Sequence, residues 1–272
     1  MSFAVYQPSG ALEDYIAAYW VRKTDRREKD SGRRVYADGC ADLILNTGDS
    51  TAFFSPMVRM DQSLPLFPGR LYLGGTMTAY GVVKSTAGCT LTGIRFQPGG
   101  FYALYRMPME SAVDRVLEFP DPELRSLMER EEGLATRLDD YFNTKKINSR
   151  HDFAAIYKVV YLSNGQITVE ELAGSCHVSN RTLERIFKEN VGIPPKEFIR
   201  IVRFQEVLKR LRKMGAQGAA QNGSQESLLR IAFELGYYDH AHLTHEFSKY
   251  AGILPSELSH FYKTGIAGGN YF

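Results

Sequence analysis

The chain has 272 residues, 33 Lys and Arg against 31 Asp and Glu, three Cys and one Trp. A formal net charge of +2 is too small to mark the whole protein as a binder of polyanions. No apolar run is long enough to span a membrane, and the N-terminus lacks the basic-plus-apolar start of a signal peptide. Cys40, Cys89 and Cys176 match neither a zinc site nor a disulfide framework, so a reduced, cytoplasmic protein without metal or cofactor is expected. The length favours two domains. Charge divides weakly between them: 18 basic against 19 acidic residues before position 150, and 15 against 12 from there on, with all six His in the second part.

Residues 33–98 hold short β-type runs, RRVYA, ADLILNT, TAFFS, LYLGGT, GVVKST and TLTGIRFQP, punctuated by glycines. They predict a small antiparallel barrel or sandwich, which can hold one small ligand. Candidate lining residues are Tyr36, Cys40, Tyr72, Tyr80, Arg95 and Phe96. Asp38 and Asp42 read as turn and polar-network groups, since Asp38-Gly39 is a turn signal. Gly74-Gly75 and Gly99-Gly100 lack the context of a phosphate loop. A helical stretch opens at 119 and runs to 143, divided in two by Gly133. Leu127, Leu134 and Tyr141 fall seven apart on it, with Leu124 and Leu138 between. That stripe suits two uses equally: a seam between two copies, making a homodimer, or packing on the chain's own barrel. Residues 144–149, TKKINS, are the expected linker.

Beyond the linker a degenerate repeat appears, 60 residues apart. SNRTLERIFKENVGIPPKEF at 179–198 aligns with DHAHLTHEFSKYAGILPSEL at 239–258. Ser179 and Asp239 are helix caps, Leu183/Phe187 and Leu243/Phe247 are apolar pairs, and Gly-Ile-x-Pro closes each copy. A short helix precedes each one. The first begins at Thr168 with Glu171 completing a capping box, and the second carries Leu228, Ile231, Ala232 and Leu235 before Gly236. Helix, tight turn, helix, given twice, is the arrangement that lays a second helix in the DNA major groove. The run HAHLTH at 240–245 is not read as a metal site, because its three His do not share one helical face.

Residues from about 152 to 262 resemble the C-terminal domain of the AraC/XylS transcriptional regulators, on LAGSCHVSNRTLERIFKENVGIPPKEFIRIVRFQEVLKRL (172–211) and IAFELGYYDHAHLTHEFSKYAGILPSEL (231–258). The resemblance implies an α+β multidomain protein. An N-terminal small β-barrel, cupin-like and with trailing helices (1–149), would sense a small-molecule effector. An all-α domain with two helix-turn-helix units (150–272) would bind double-stranded DNA. The units would span about 168–191 and 227–251, joined by a helix over about 195–214. Residues 215–227, GAQGAAQNGSQES, depart from the family by their length and read as a surface loop.

Carried over by position, the reading residues are Asn180, Arg181, Thr182, Glu184, Arg185 and Lys188 on the first recognition helix. His240, Ala241, Thr244 and His245 follow on the second. Arg181 or Arg185 suits a guanine edge, Glu184 a cytosine amino group, and Thr244 and His245 phosphates. The expected function is a sequence-specific regulator of transcription, activator or repressor, with RNA polymerase a further candidate partner, and not an enzyme. Two alternatives stand beside it: a protein acting only through another regulator, and a DNA-repair alkyl acceptor using Cys.

Overall fold

The computed structural model describes residues 2–24, 32–59, 63–147, 152–216 and 224–264. The N-terminal strands are β1 (Ser2–Tyr6), β2 (Ile16–Lys23), β3 (Arg33–Val35), β4 (Ala41–Asn46), β5 (Ala52–Pro56), β6 (Leu64–Leu66), β7 (Leu71–Gly74), β8 (Gly81–Ser85), β9 (Thr90–Phe96) and β10 (Val116–Glu118). All six runs read from the sequence are strands. They form two antiparallel sheets, one in the order β1-β2-β9-β4-β7-β10 and one in the order β3-β8-β5-β6, so the domain is two-layered rather than one closed ring.

Side chains alternate across the larger sheet, and the two faces serve different ends. Tyr19, Val21, Leu43, Leu45, Leu73, Ile94 and Phe96 point outward into a core completed by α1 (Gly100–Tyr105), α2 (Pro122–Met128) and α3 (Leu134–Asn143). Trp20, Tyr72 and Leu91 point inward, toward Ala52 and Leu66 of the smaller sheet. Gly93 has no side chain because the Trp20 ring lies over it. Leu124, Leu134, Leu138 and Tyr141 are all buried in the outer core. Of the two uses open to that stripe, the structure takes the second: the helical pair packs on its own sheet, and its apolar face is not free to form a seam.

The C-terminal helices are α4 (Phe153–Leu162), α5 (Val169–Ser175), α6 (Asn180–Asn190), α7 (Pro195–Ala216), α8 (Ser224–Glu234), α9 (His240–Ala251) and α10 (Pro255–Thr264). Thr168 and Glu171 form the capping box of α5, Ser179 accepts the Thr182 N–H at the start of α6, and Asp239 accepts the His242 N–H at the start of α9. Gly192 and Gly252 take positive φ, 80° and 67°, and end the two recognition helices. The repeat is not uniform. In the turns Val178 N–H donates to the Ala173 carbonyl, and Tyr237 N–H to the Ala232 carbonyl, a spacing of 59 rather than 60. The second turn therefore holds one more residue, Tyr238, which is 86% exposed. Residues 217–223 of the stretch 215–227, and 148–149 of the expected linker, lie outside the described residues.

Leu183, Phe187, Phe198, Phe204, Leu243 and Phe247 make one core, shared by both helix-turn-helix units. Phe187 lies 5.0 Å from Phe153 and 5.5 Å from Phe198, ring centre to ring centre, and is fully buried. Phe187→Ala is expected to lower the unfolding free energy by about 3–5 kcal/mol, read from the midpoint of a urea titration at unchanged slope.

Candidate DNA-reading surface and inter-sheet cavity

The amphipathic pattern of α6 turns Leu183, Ile186 and Phe187 inward and leaves Asn180, Arg181, Arg185 and Lys188 exposed. Thr182 and Glu184 are half-buried, and the Thr182 hydroxyl lies 3.0 Å from that of Ser179. Lys188 sits 3.4 Å from Glu110, which belongs to the N-terminal domain. On α9, Ala241 and His245 are exposed. His240 Nε2 and the Thr244 hydroxyl are instead turned away from solvent, with no hydrogen-bond partner among the described residues. The outward face of α9 is therefore narrower than the aligned positions suggested, because Thr244 lies one turn from His240 on the side that packs inward. Its neighbour in the turn, Tyr238, was missed from the sequence; the one-residue offset between the two halves of the repeat was the available signal. Among the described residues no group of His, Cys, Asp and Glu could hold a metal ion, and no helix is long and apolar enough to cross a membrane.

Basic residues on α7 do different work from those on α6. Arg203 donates to the Gly165 carbonyl at 2.7 and 2.9 Å, Arg210 pairs with Glu206 and Glu234, and Arg200 lies 3.7 Å from the buried Glu246. Their charges brace one helix against the next.

Between the two sheets lies a cavity of about 130 Å³, walled by Trp20, Ile44, Phe54, Val83 and Leu91. At its floor Arg95 forks onto two carboxylates: it pairs with Asp38 and, at 3.0 Å, with Asp42. Register explains the pairing, since Asp42 and Arg95 are direct cross-strand partners on β4 and β9. Trp20 Nε1–H donates to Asp42 at 3.2 Å, and Cys40 N–H to Asp38 at 2.9 Å, so the carboxylates are bonded on both sides. Burial pushes the Asp42 carboxyl up, to about 7, against the opposing Trp20 hydrogen bond, and lowers Arg95 to about 10. Burial also raises both Cys40 and Cys89, the latter to about 11.

Of the six side chains expected to line a ligand site, Cys40 and Arg95 reach the cavity. Phe96 follows Arg95 in the strand and so faces the opposite core. Tyr72 shares the inward face, but its hydroxyl is taken by the Phe67 N–H. Tyr36 and Tyr80 point into the helical domain. Tyr36 packs edge-on to Phe204, 6.2 Å away, and Tyr80 covers Gly252 at the end of α9. They belong to a seam along which the two domains touch. Gln205 on α7 donates to the Ala37 carbonyl and Tyr161 on α4 to the Asp38 carbonyl, at 2.5 and 3.3 Å. Gly39, at φ 81°, leaves room for the Phe198 ring, and Gly192 leaves room for Met109 and Val113.

Residues 4–118 match a family described as a domain of unknown function (DUF6597), and residues 172–260 match one described as a helix-turn-helix domain. An "Uncharacterized HTH-type transcriptional regulator" of Haemophilus influenzae is 28% identical over 127 residues, which span 47% of this chain and 36% of that protein. Among solved structures, ToxT of Vibrio cholerae with an unsaturated fatty acid bound aligns at 13% identity over 98% of both chains, with a TM-score of 0.49. The C-terminal domain of AraT, a response regulator of Geobacillus stearothermophilus, aligns at 19% identity over 43% of this chain and 88% of its own, with a TM-score of 0.32.

The Asp42 shift carries a pH signature. Its pKa in the folded chain lies above the ordinary carboxylate value of 3.8, so its contribution to stability is full below that value and is lost as the pH rises through about 7. Trp20 is the one tryptophan and touches this carboxylate. Its fluorescence is expected to titrate with a midpoint near neutrality, and the transition should vanish in Asp42→Asn.

Proposed function

We propose that this chain, whose residues 172–260 match a helix-turn-helix domain, is a sequence-specific DNA-binding regulator of transcription of the AraC type, controlled by a small molecule held in its N-terminal domain. Residues 1–149 are its sensor and residues 150–272 its reader. One observation carries the reading. In α5–α6 a boxed helix start and a turn closed by left-handed His177 lead to a second helix that shows Asn180, Arg181 and Arg185 to solvent. The unit recurs at α8–α9. A helix so presented suits the major groove, with an arginine fork on guanine O6 and N7 and Glu184 on a cytosine amino group. Lys188 and His245 suit phosphates, and the exposed phenol of Tyr238 suits another beside them. A homodimer would use a surface other than the α2–α3 stripe.

The two other readings find less support. An alkyl acceptor needs a thiolate, and burial holds Cys40 and Cys89 as thiols near neutral pH. A protein working only through another regulator has no use for arginines displayed at a capped helix start.

Selection of binding sites from a genomic DNA library with the full-length protein, read at two salt concentrations, tests the proposal. One asymmetric site covering two successive major grooves is expected, with affinity falling as salt rises. Absence of any enriched site at either salt concentration would move the interaction-protein reading to the front. On the selected site, Arg185→Ala should weaken binding by about 1–3 kcal/mol and relax one base position, as measured by competition against single-base variants. An unchanged base profile would assign Arg185 no reading role.

A further inference from the structure

One short segment joins the cavity to the helical domain. At its cavity end Asp38 shares the Arg95 guanidinium with Asp42. Its other side faces the reader: the Ala37 carbonyl accepts from Gln205 on α7, the Asp38 carbonyl from Tyr161 on α4, and Gly39 meets Phe198. The two carboxylates at the floor are held unequally. Asp42 sits in strand β4 and is anchored by Trp20, whereas Asp38 lies in a loop and, among the described residues, accepts from the Cys40 amide two residues on and pairs with Arg95.

The walls say what the cavity takes. They are apolar on both sheets, and the charged residues among them are five arginines, Arg22, Arg33, Arg34, Arg95 and Arg115, against Asp38 and Asp42; of the neighbours Arg33 and Arg34 on β3, one faces the cavity and the other away. An apolar body gains by burial there, and an anionic end gains by Coulomb attraction in a partly desolvated site. An ammonium end would face the guanidiniums.

We propose that the inter-sheet cavity binds a small organic anion with an apolar body, and that residues 36–40 pass its arrival to α4 and α7. The anion competes with Asp38 for Arg95, while Asp42 stays in place. Release of Asp38 shifts the carbonyls that hold Gln205 and Tyr161, and with them the packing of Gly39 on Phe198. A second route runs beside it, since Arg34 on the cavity wall stacks 5.7 Å over Tyr80, which covers Gly252 at the end of α9. The inference rests on the regulator reading for its output alone.

Trp20, in the cavity wall, gives the binding test a built-in reporter. The full-length protein is titrated with 4-phenylbutyrate, 4-phenylbutan-1-ol and 4-phenylbutylamine, which keep one apolar body and change its charge. A saturable change in Trp20 emission is expected for the acid, with the amine about tenfold weaker or more. A flat response to the acid, or an amine that binds as well, overturns the ligand class. Transmission is tested in the full chain with Asp38→Asn and Gln205→Leu. Each is expected to speed amide hydrogen exchange over 198–205 and to change affinity for the selected DNA site by about fivefold. The double variant should go no further than the stronger single one. If a folded Asp38→Asn protein keeps both exchange and affinity, the segment is not the link. If no DNA site is selected by any form of the chain, the regulator reading falls, while the fluorescence and exchange results still decide this proposal.

Discussion

Everything in the reader depends on the buried face of α7. Helices as short as α5 and α6 do not hold their shape alone in water, because too few hydrogen bonds follow a costly nucleus. Capping supplies direction and a turn supplies an angle, but neither supplies enough burial. Phe198, Ile201, Phe204 and Leu208 give both helix-turn-helix units a common wall, so that Phe187 of the first and Phe247 of the second lean on one rod. The same rod supplies Gln205 and Phe198 to the N-terminal domain. A single element thus carries both helix-turn-helix units and receives the contact from the N-terminal domain. Its 22 residues rise about 33 Å at 1.5 Å each, close to one turn of DNA.

How much of this was legible beforehand varied with the kind of signal. Caps and stops are local chemistry, and Thr168, Ser179, Asp239, Gly192 and Gly252 all do in the structure what their spacing implied. The six punctuated β-runs were equally plain. Strand β2 was overlooked because IAAYWVRK lies before the run of regular turns, although Trp20 and Arg22 alternate with Tyr19 and Val21 there. Face assignment was the weak point. Arg95 and Phe96 both suit a ligand site by residue type, but a strand must send neighbours to opposite sides. Tyr36 and Tyr80 suit barrel lining by sequence, because nothing local shows that a second domain covers them. The stripe on α2 and α3 had two legitimate uses, and only tertiary packing distinguished them.

The floor of the cavity shows what burial does to an otherwise ordinary ion pair. One guanidinium stands between two carboxyl groups where water is scarce, and burial acts against the charged forms of both Arg95 and Asp42. Such a cluster contributes little to stability by itself. What it offers is a choice between arrangements close in energy, which a purely apolar floor would not have.

Gly192 and Gly252 occupy the same place in the two halves of the repeat, and each is met by the N-terminal domain, through Met109 and Val113 at one and Tyr80 at the other. A helix stop is needed at both sites for reasons internal to the reader. The N-terminal domain rests on them, since the missing side chain leaves a flat spot at the root of each recognition helix. Its grip is therefore two-handed, at the roots of the two helices, and at the first it also reaches the exposed face of α6 through Glu110 and Lys188. Small changes at Met109, Val113 or Tyr80 can alter how firmly each hand holds without altering what either helix reads. Under the proposed function, responsiveness and target sequence are then free to drift apart in a lineage of such proteins.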